Sequence, residues 1–333
     1  MITIDQPFDP AMRVSAADHP DCALIRPVST ETTLVLQGLN PAQAQELLQG
    51  QRLDPLWLPD LQLTLDNHSE AEAEDIAVPR EMDLADGKVQ LQSGRAGRVE
   101  VQAHHALANT LIPQSLNLLM AQQFARSGLM MVHGAALRID GIGILALGAR
   151  GSGKSVLSAA ALAAGAEIVS DDWLLVGRAE GGRFHAERLR EFLMLRHGWA
   201  TDRLLQALTG LGGRVTPGRV KTVLDIEQQP ESVRRRFPVS IALDRAWLLH
   251  RPRCGRTARS TSFACSQADA LAAIIGATMP LLFGSEFPVE SRALMASARG
   301  LIADLDWRGI HTGLDLVDQP QRALSGLLAA GVR

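Results

Sequence analysis

One stretch constrains this chain more than any other: residues 145 to 176, LALGARGSGKSVLSAAALAAGAEIVSDDWLLV. It joins an apolar strand, a glycine-rich turn, an alanine-rich helix and a second strand ending in two aspartates. Gly148, Gly153, Lys154 and Ser155 satisfy the pattern G-x-x-x-x-G-K-[ST]. The flanks suit it, because GIGILAL before the turn is of strand type and KSVLSAAALAAG after it is helical. Such a turn points backbone N–H groups at phosphate oxygens, and the helix N-terminus adds partial positive charge. The loop, which includes Gly148, Arg150, Gly151, Ser152, Gly153, Lys154 and Ser155, is therefore expected to hold nucleotide phosphates. Lys154 reaches the β/γ-phosphates and Ser155 offers its hydroxyl to Mg²⁺. Lys154 is expected to be an exposed loop side chain. The competing reading is a glycine-rich strand-to-helix turn with no ligand.

Lysine usage singles out the same residue. Of 33 basic residues only Lys88, Lys154 and Lys221 are lysine. A chain that otherwise uses arginine keeps lysine where a compact ammonium must fit beside a phosphate. Lys221, with Arg219 nearby in TPGRVKTVLD, then has two readings: a clamp on phosphate or on charge developing in the transferred group, or an exposed basic strand end.

Bulk composition narrows the classes. With 333 residues, 46% hydrophobic and 21% charged, the chain is long enough for two domains with ample cores. A net charge of −3 points to neither nucleic acid nor membrane as partner. Cys22, Cys254 and Cys265 are too scattered for a disulfide framework or a zinc site. Free thiols beside a nucleotide site suit the cytoplasm. There is no long apolar run, and the acidic, proline-broken start MITIDQPFDP does not read as a secretory signal.

Along the chain, residues 1 to 103 read as a small α+β domain. TTLVLQGL, LQLTL, KVQLQS and RVEVQA are of strand type, and NPAQAQELLQGQ reads as a capped helix. SEAEAED at 69 to 75 reads as a solvated loop or hinge. Residues 104 to 333 read as a P-loop domain that opens with a long helical pattern interrupted at Pro113. A hairpin turning at Asp140-Gly141 follows and feeds the loop, then a second hairpin with a glycine turn in WLLVGRAEGGRFHAERL. A helical TDRLLQALTGLGG, strands around VSIALDRAWLLHR, and helices near 267 to 277 and 289 to 303 complete an α/β layer pattern.

Between Ser155 and Asp171 there is room for one short helix and one strand. If that strand runs parallel to the strand before the loop, its C-terminal end lies at the same sheet edge as the phosphate loop. Asp171 and Asp172 then sit beside the γ-phosphate, where one carboxylate serves a metal and another accepts a hydroxyl proton. The bland alternative is a strand end solvated by two acidic residues.

The run VHGAALRIDGIGILALGARGSGKSVLSAAALAAGAEIVSDD, residues 132 to 172, resembles the C-terminal kinase domain of HPr kinase/phosphorylase and its relatives, which include kinases of lasso-peptide precursors. The resemblance implies a P-loop catalytic domain of α/β class, His133-Gly134 ahead of the loop strand, and Asp171-Asp172 as the catalytic acidic pair. It also implies ATP and Mg²⁺ as cofactors and a serine hydroxyl as acceptor. Asp171 is the preferred base by its place in the resemblance, with Ser155 and Asp172 as metal-holding residues. Two positions depart from the pattern: Arg150 replaces a small residue, and Val156 stands where the bacterial regulator kinases carry glutamate. The later signature for recognising HPr is absent, so HPr is not the expected substrate.

His133 could orient an active-site aspartate or titrate near neutral pH, or it is a satisfied core residue. RRR at 234 to 236 and RPRCGRTAR at 251 to 259 read as solvated loop charges rather than a dock for an acidic substrate, and HH at 104 and 105 as structural. The expected function is an ATP- and Mg²⁺-dependent kinase acting on a hydroxyl, preferably serine of a peptide or protein. The rivals are a small-molecule kinase on the same scaffold and a nucleotide-binding ATPase switch. A homo-oligomer is compatible with either.

Overall fold

The computed structural model describes residues 12–16, 22–27, 32–37, 61–67, 81–84, 87–93, 98–103, 121, 124–125, 128–179, 181–189, 192–196, 198–206, 221–226, 229–230, 231–250, 258–278 and 288–330. The chain is mixed α/β and divides into two compact units, one of Phe8–Gln123 with Gly284–Val289, the other of the remaining residues.

In the first unit, strands β1 (Met12–Ala16), β2 (Cys22–Pro27), β3 (Thr32–Gln37), β4 (Leu61–Asn67), β5 (Glu81–Leu84), β6 (Gly87–Ser93) and β7 (Arg98–Ala103) form one sheet in the order β1-β2-β3-β4-β7-β6-β5. Every pairing is antiparallel. The four strands read from sequence coincide with β3, β4, β6 and β7. The helix expected at NPAQAQELLQGQ, the acidic run at 69 to 75 and His104-His105 lie outside the described residues.

The second unit is organised by a six-stranded mixed sheet. It uses β9 (Ala135–Ile139), β10 (Ile142–Leu147), β11 (Glu167–Ser170), β17 (Arg245–His250), β18 (Thr261–Ala264) and β19 (Asp306–His311) in the order β11-β9-β10-β17-β19-β18. The β9–β10 hairpin turns at Asp140 and Gly141, with φ of 50° and 81°, the two left-handed residues that a tight hairpin turn requires. From β10 the sheet continues in parallel through β17 to β19. The strand before the acid pair, β11, is not a neighbour of β10. It pairs antiparallel with β9, which is itself antiparallel to β10, so β11 and β10 run the same way and end at the same edge.

A four-stranded sheet of β8 (Met130–His133), β12 (Trp173–Arg178), β13 (Phe184–Arg188) and β16 (Ser240–Ala242) is antiparallel throughout. A two-stranded sheet pairs β14 (Phe192–Arg196) with β15 (Lys221–Asp225). Described helices are α1 (Lys154–Ala163), α2 (Trp199–Gln206), α3 (Glu231–Arg234), α4 (Gln267–Ala277), α5 (Pro288–Asp304), α6 (Asp315–Asp318) and α7 (Pro320–Ala329). The last two of the expected helices thus appear as α4 and α5, and α4 is capped by Ser266, whose hydroxyl accepts from Asp269 N–H.

Helix α1 is the centre of the core. Its alanines let neighbours approach closely. Leu157, Ala160 and Leu162 share one buried cluster with Leu137 and Ile144 of the large sheet, Leu193 and Leu224 of the small one, and Leu324 and Leu328 of α7. At roughly 25 cal/mol per Å² of apolar surface, this burial fixes the start of α1, and with it the turn that precedes it. Arg236 donates to the carbonyls of Leu162 and Ala166 at the far end of α1, where a cation complements exposed carbonyls. Burial pulls its pKa down from the ordinary arginine value. The RRR run is therefore only partly solvated charge: Arg234 and Arg235 do pair with exposed Glu231, whereas Arg236 caps a core helix. Among the described residues no helix is long and apolar enough to cross a membrane.

Candidate active site

The loop between β10 and α1 is built from backbone that only glycine tolerates. Gly148 has φ of 154°, Gly151 of 79° and Gly153 of 107°. A Cβ on Gly148 would lie 2.6 Å from the carbonyl oxygen of Leu249 in β17, and one on Gly153 would lie 3.0 Å from Oγ1 of Thr312, just beyond β19. The loop is thus pressed onto the carboxyl ends of the parallel strands. No side chain caps the start of α1, and its first turn holds no acidic residue. The first helical bond runs from Leu157 N–H to the Gly153 carbonyl, so the amides before it are not committed to the helix ladder. That combination of amides and dipole favours an anion.

Lys154 departs from expectation. It is 8% exposed, not an open loop side chain, because its ammonium folds back to donate to the Gly148 carbonyl at 2.5 Å and reaches Ala149 O at 3.5 Å. The fold spans the loop like a strut and holds the cation inside it. Ser152 is buried too, with its N–H bonded to Ala149 O at 3.1 Å.

The acid pair sits where β11 of one sheet passes into β12 of another. Both carboxylate residues are buried, Asp171 at 5% and Asp172 at 7% exposure. The Ser170 hydroxyl accepts from Asp172 N–H and donates to the Trp173 carbonyl, fixing the turn between the strands. His133, at the end of β8, stands opposite Trp173 in the ladder. Its Nε2 lies 3.1 Å from Asp172 Oδ1, and its ring packs against the indole at 5.4 Å.

Gly134 joins these parts to the loop. Its N–H donates to the Asp172 carbonyl at 2.7 Å. A Cβ there would lie 3.0 Å from Ala146 O and 2.9 Å from a Leu147 methyl, the two residues that lead into Gly148. One glycine is therefore wedged between the strand that enters the loop and the turn that carries the acid pair. His133, Asp172 and the start of the loop are brought together in this way.

Other expected residues are placed differently. Lys221 begins β15, with its backbone opposite Arg196; its side chain, and Arg219 as a whole, lie outside the described residues. Thr312 and Leu249 were not legible as loop neighbours, since neither carries a motif. Gly313, following Thr312, is held by an N–H bond to the Ser260 hydroxyl, which itself donates to Asp315 at 2.6 Å.

The oxygen donors that the sequence expects at a metal are the hydroxyl of Ser155, at the start of α1, and the carboxylates of the buried Asp171 and Asp172. Among the described residues no three His, Cys, Asp or Glu groups are placed to hold a metal ion by themselves. This set fits Mg²⁺, which takes one or two protein oxygens and completes its shell with phosphate and water.

No family model and no curated protein matches the chain. Among solved structures, the HPr(Ser) kinase/phosphatase from Coxiella burnetii is similar over 60% of this chain and 93% of that chain, with 12% sequence identity and a TM-score of 0.30. That similarity carries no argument about activity.

Proposed function

We propose that this chain is an ATP- and Mg²⁺-dependent kinase that transfers the γ-phosphoryl group to a hydroxyl, preferably serine of a peptide or protein. The observation that carries the reading is the wedge of Gly134, which ties the buried Asp172 backbone to Ala146-Leu147 at the mouth of the glycine loop. In this reading the amides of Gly151 to Ser155 and the Lys154 ammonium hold the β- and γ-phosphates. Ser155 and Asp172 would hold Mg²⁺, which when bound supplies positive charge to the phosphate oxygens. Asp171 accepts the proton of the attacking hydroxyl, and His133 orients Asp172.

The test is incubation with γ-labelled ATP and a cell extract, followed by separation of peptide, metabolite and free phosphate. Label in a polypeptide that withstands acid but is released by alkali, as a serine phosphate ester is, supports the proposal. Label in a small metabolite supports the small-molecule kinase, and label only in free phosphate supports an ATPase switch.

A further inference from the structure

The carboxyl ends of the parallel strands carry a second feature beside the glycine loop. His250 ends β17 and His311 ends β19, and the two are partners across the parallel ladder. The residue before His250 is Leu249, whose carbonyl crowds Gly148, and the residue after His311 is Thr312, whose hydroxyl crowds Gly153. Both histidines are thus one residue removed from the walls of the loop.

Edge strand β18 adds a phenyl ring to this pair. Phe263 is opposite Gly309, and a Cβ on Gly309 would fall 2.2 Å from the ring, so the missing side chain is what lets the ring lie flat on the sheet. The ring stacks on His311 at 4.9 Å with 30° between planes, and meets His250 at 5.2 Å. His250 and His311 close the triangle at 5.7 Å. Phe263 nevertheless remains 38% exposed, one of three large exposed apolar residues among those described. The ring is seated on the sheet while much of its surface stays in water, and with the two imidazoles beside it the patch is aromatic and suited to stacking.

We infer that His250, Phe263 and His311 form the stacking platform for the nucleobase of the nucleotide whose phosphates occupy the loop at Gly148–Ser155. The inference rests on the nucleotide reading above and adds the base-binding residues to it. Aromatic rings take a base through its π-face, and the loss of such a ring weakens binding without touching the phosphate contacts.

The experiment is calorimetric titration of MgATP, and separately of magnesium tripolyphosphate, into the full-length protein and its Phe263→Ala and Phe263→Leu variants. Leucine keeps apolar bulk at the edge strand while removing the ring. The expected result is MgATP binding about tenfold weaker or more in both variants, with tripolyphosphate affinity unchanged. Unchanged MgATP affinity in both variants overturns the inference and leaves the nucleotide reading standing. Equal losses for MgATP and tripolyphosphate also overturn it, since the ring would then be supporting the loop. If the unaltered protein binds neither ligand, the nucleotide reading itself fails and takes the inference with it.

Discussion

The imidazole Nε2 of His133 stands 3.1 Å from Oδ1 of Asp172, a contact between the end of β8 and the turn that enters its ladder partner β12. An imidazole held this way fixes the rotamer of the carboxylate. Replacing it should therefore act on turnover more than on substrate binding. His133→Ala is expected to lower kcat by about 10-fold or more with a smaller change in KM, and His133→Gln to retain more of the activity because it can still hydrogen bond. Steady-state kinetics on both variants checks this, and equal kcat in all three proteins would show that His133 is a packing residue.

Under the proposed function, Asp171→Asn and Asp172→Asn should each lower the chemical step by about 10²-fold or more, with ATP affinity less affected, since a base and a metal ligand act mainly in the transition state. Single-turnover measurement separates chemistry from binding. Near-normal single-turnover rates in both variants would remove the pair from the mechanism.

Lys154 is buried against the loop carbonyls, so truncation to alanine would remove packing as well as charge. Lys154→Met keeps the aliphatic stem. It is expected to abolish phosphoryl transfer while leaving the thermal midpoint within a few degrees. Retained transfer would show that the ammonium has no part in handling phosphate.

Gly134→Ala places a methyl group 2.9 Å from a Leu147 methyl and 3.0 Å from Ala146 O. Overpacking of this kind costs about 1–3 kcal/mol. The strain would fall on the junction between loop and acid pair, so turnover should drop together with stability. Urea denaturation and kinetics on the same sample test the coupling; a destabilised protein with unchanged kcat would break it.

His185 supplies a pH dependence of stability. Burial, and secondarily the charge of Arg183, hold its pKa below the ordinary 6.5. The unfolded chain therefore takes up a proton before the folded one does. The contribution of neutral His185 is complete above pH 6.5 and is lost as pH falls through the lower folded value. His185→Gln should flatten the decline of thermal midpoint on mild acidification, and an unchanged slope would assign the decline to other groups.

Local chemistry made much of this protein legible. The apolar run before Gly148, the alanine-rich helix after it, the left-handed turn at Asp140-Gly141 and helices α4 and α5 all announce themselves through periodicity or turn residues within a few positions. The P-loop pattern and the adjacent Asp171-Asp172 could be read for the same reason. Tertiary structure alone decided that β9 intervenes between β10 and β11, that Gly134 is the wedge joining loop and acid pair, and that Lys154 is buried rather than exposed. It also decided that Arg236 caps α1, that Leu249 and Thr312 wall the loop, and that Phe263 lies on Gly309 beside two histidines. Each of these depends on the register between strands distant in the chain. Register is set by which apolar faces are buried together, and a single residue's slip would turn every side chain to the opposite face. No local pattern around Gly134, Thr312 or Phe263 carries that information, because their roles consist only of what the other strands bring against them.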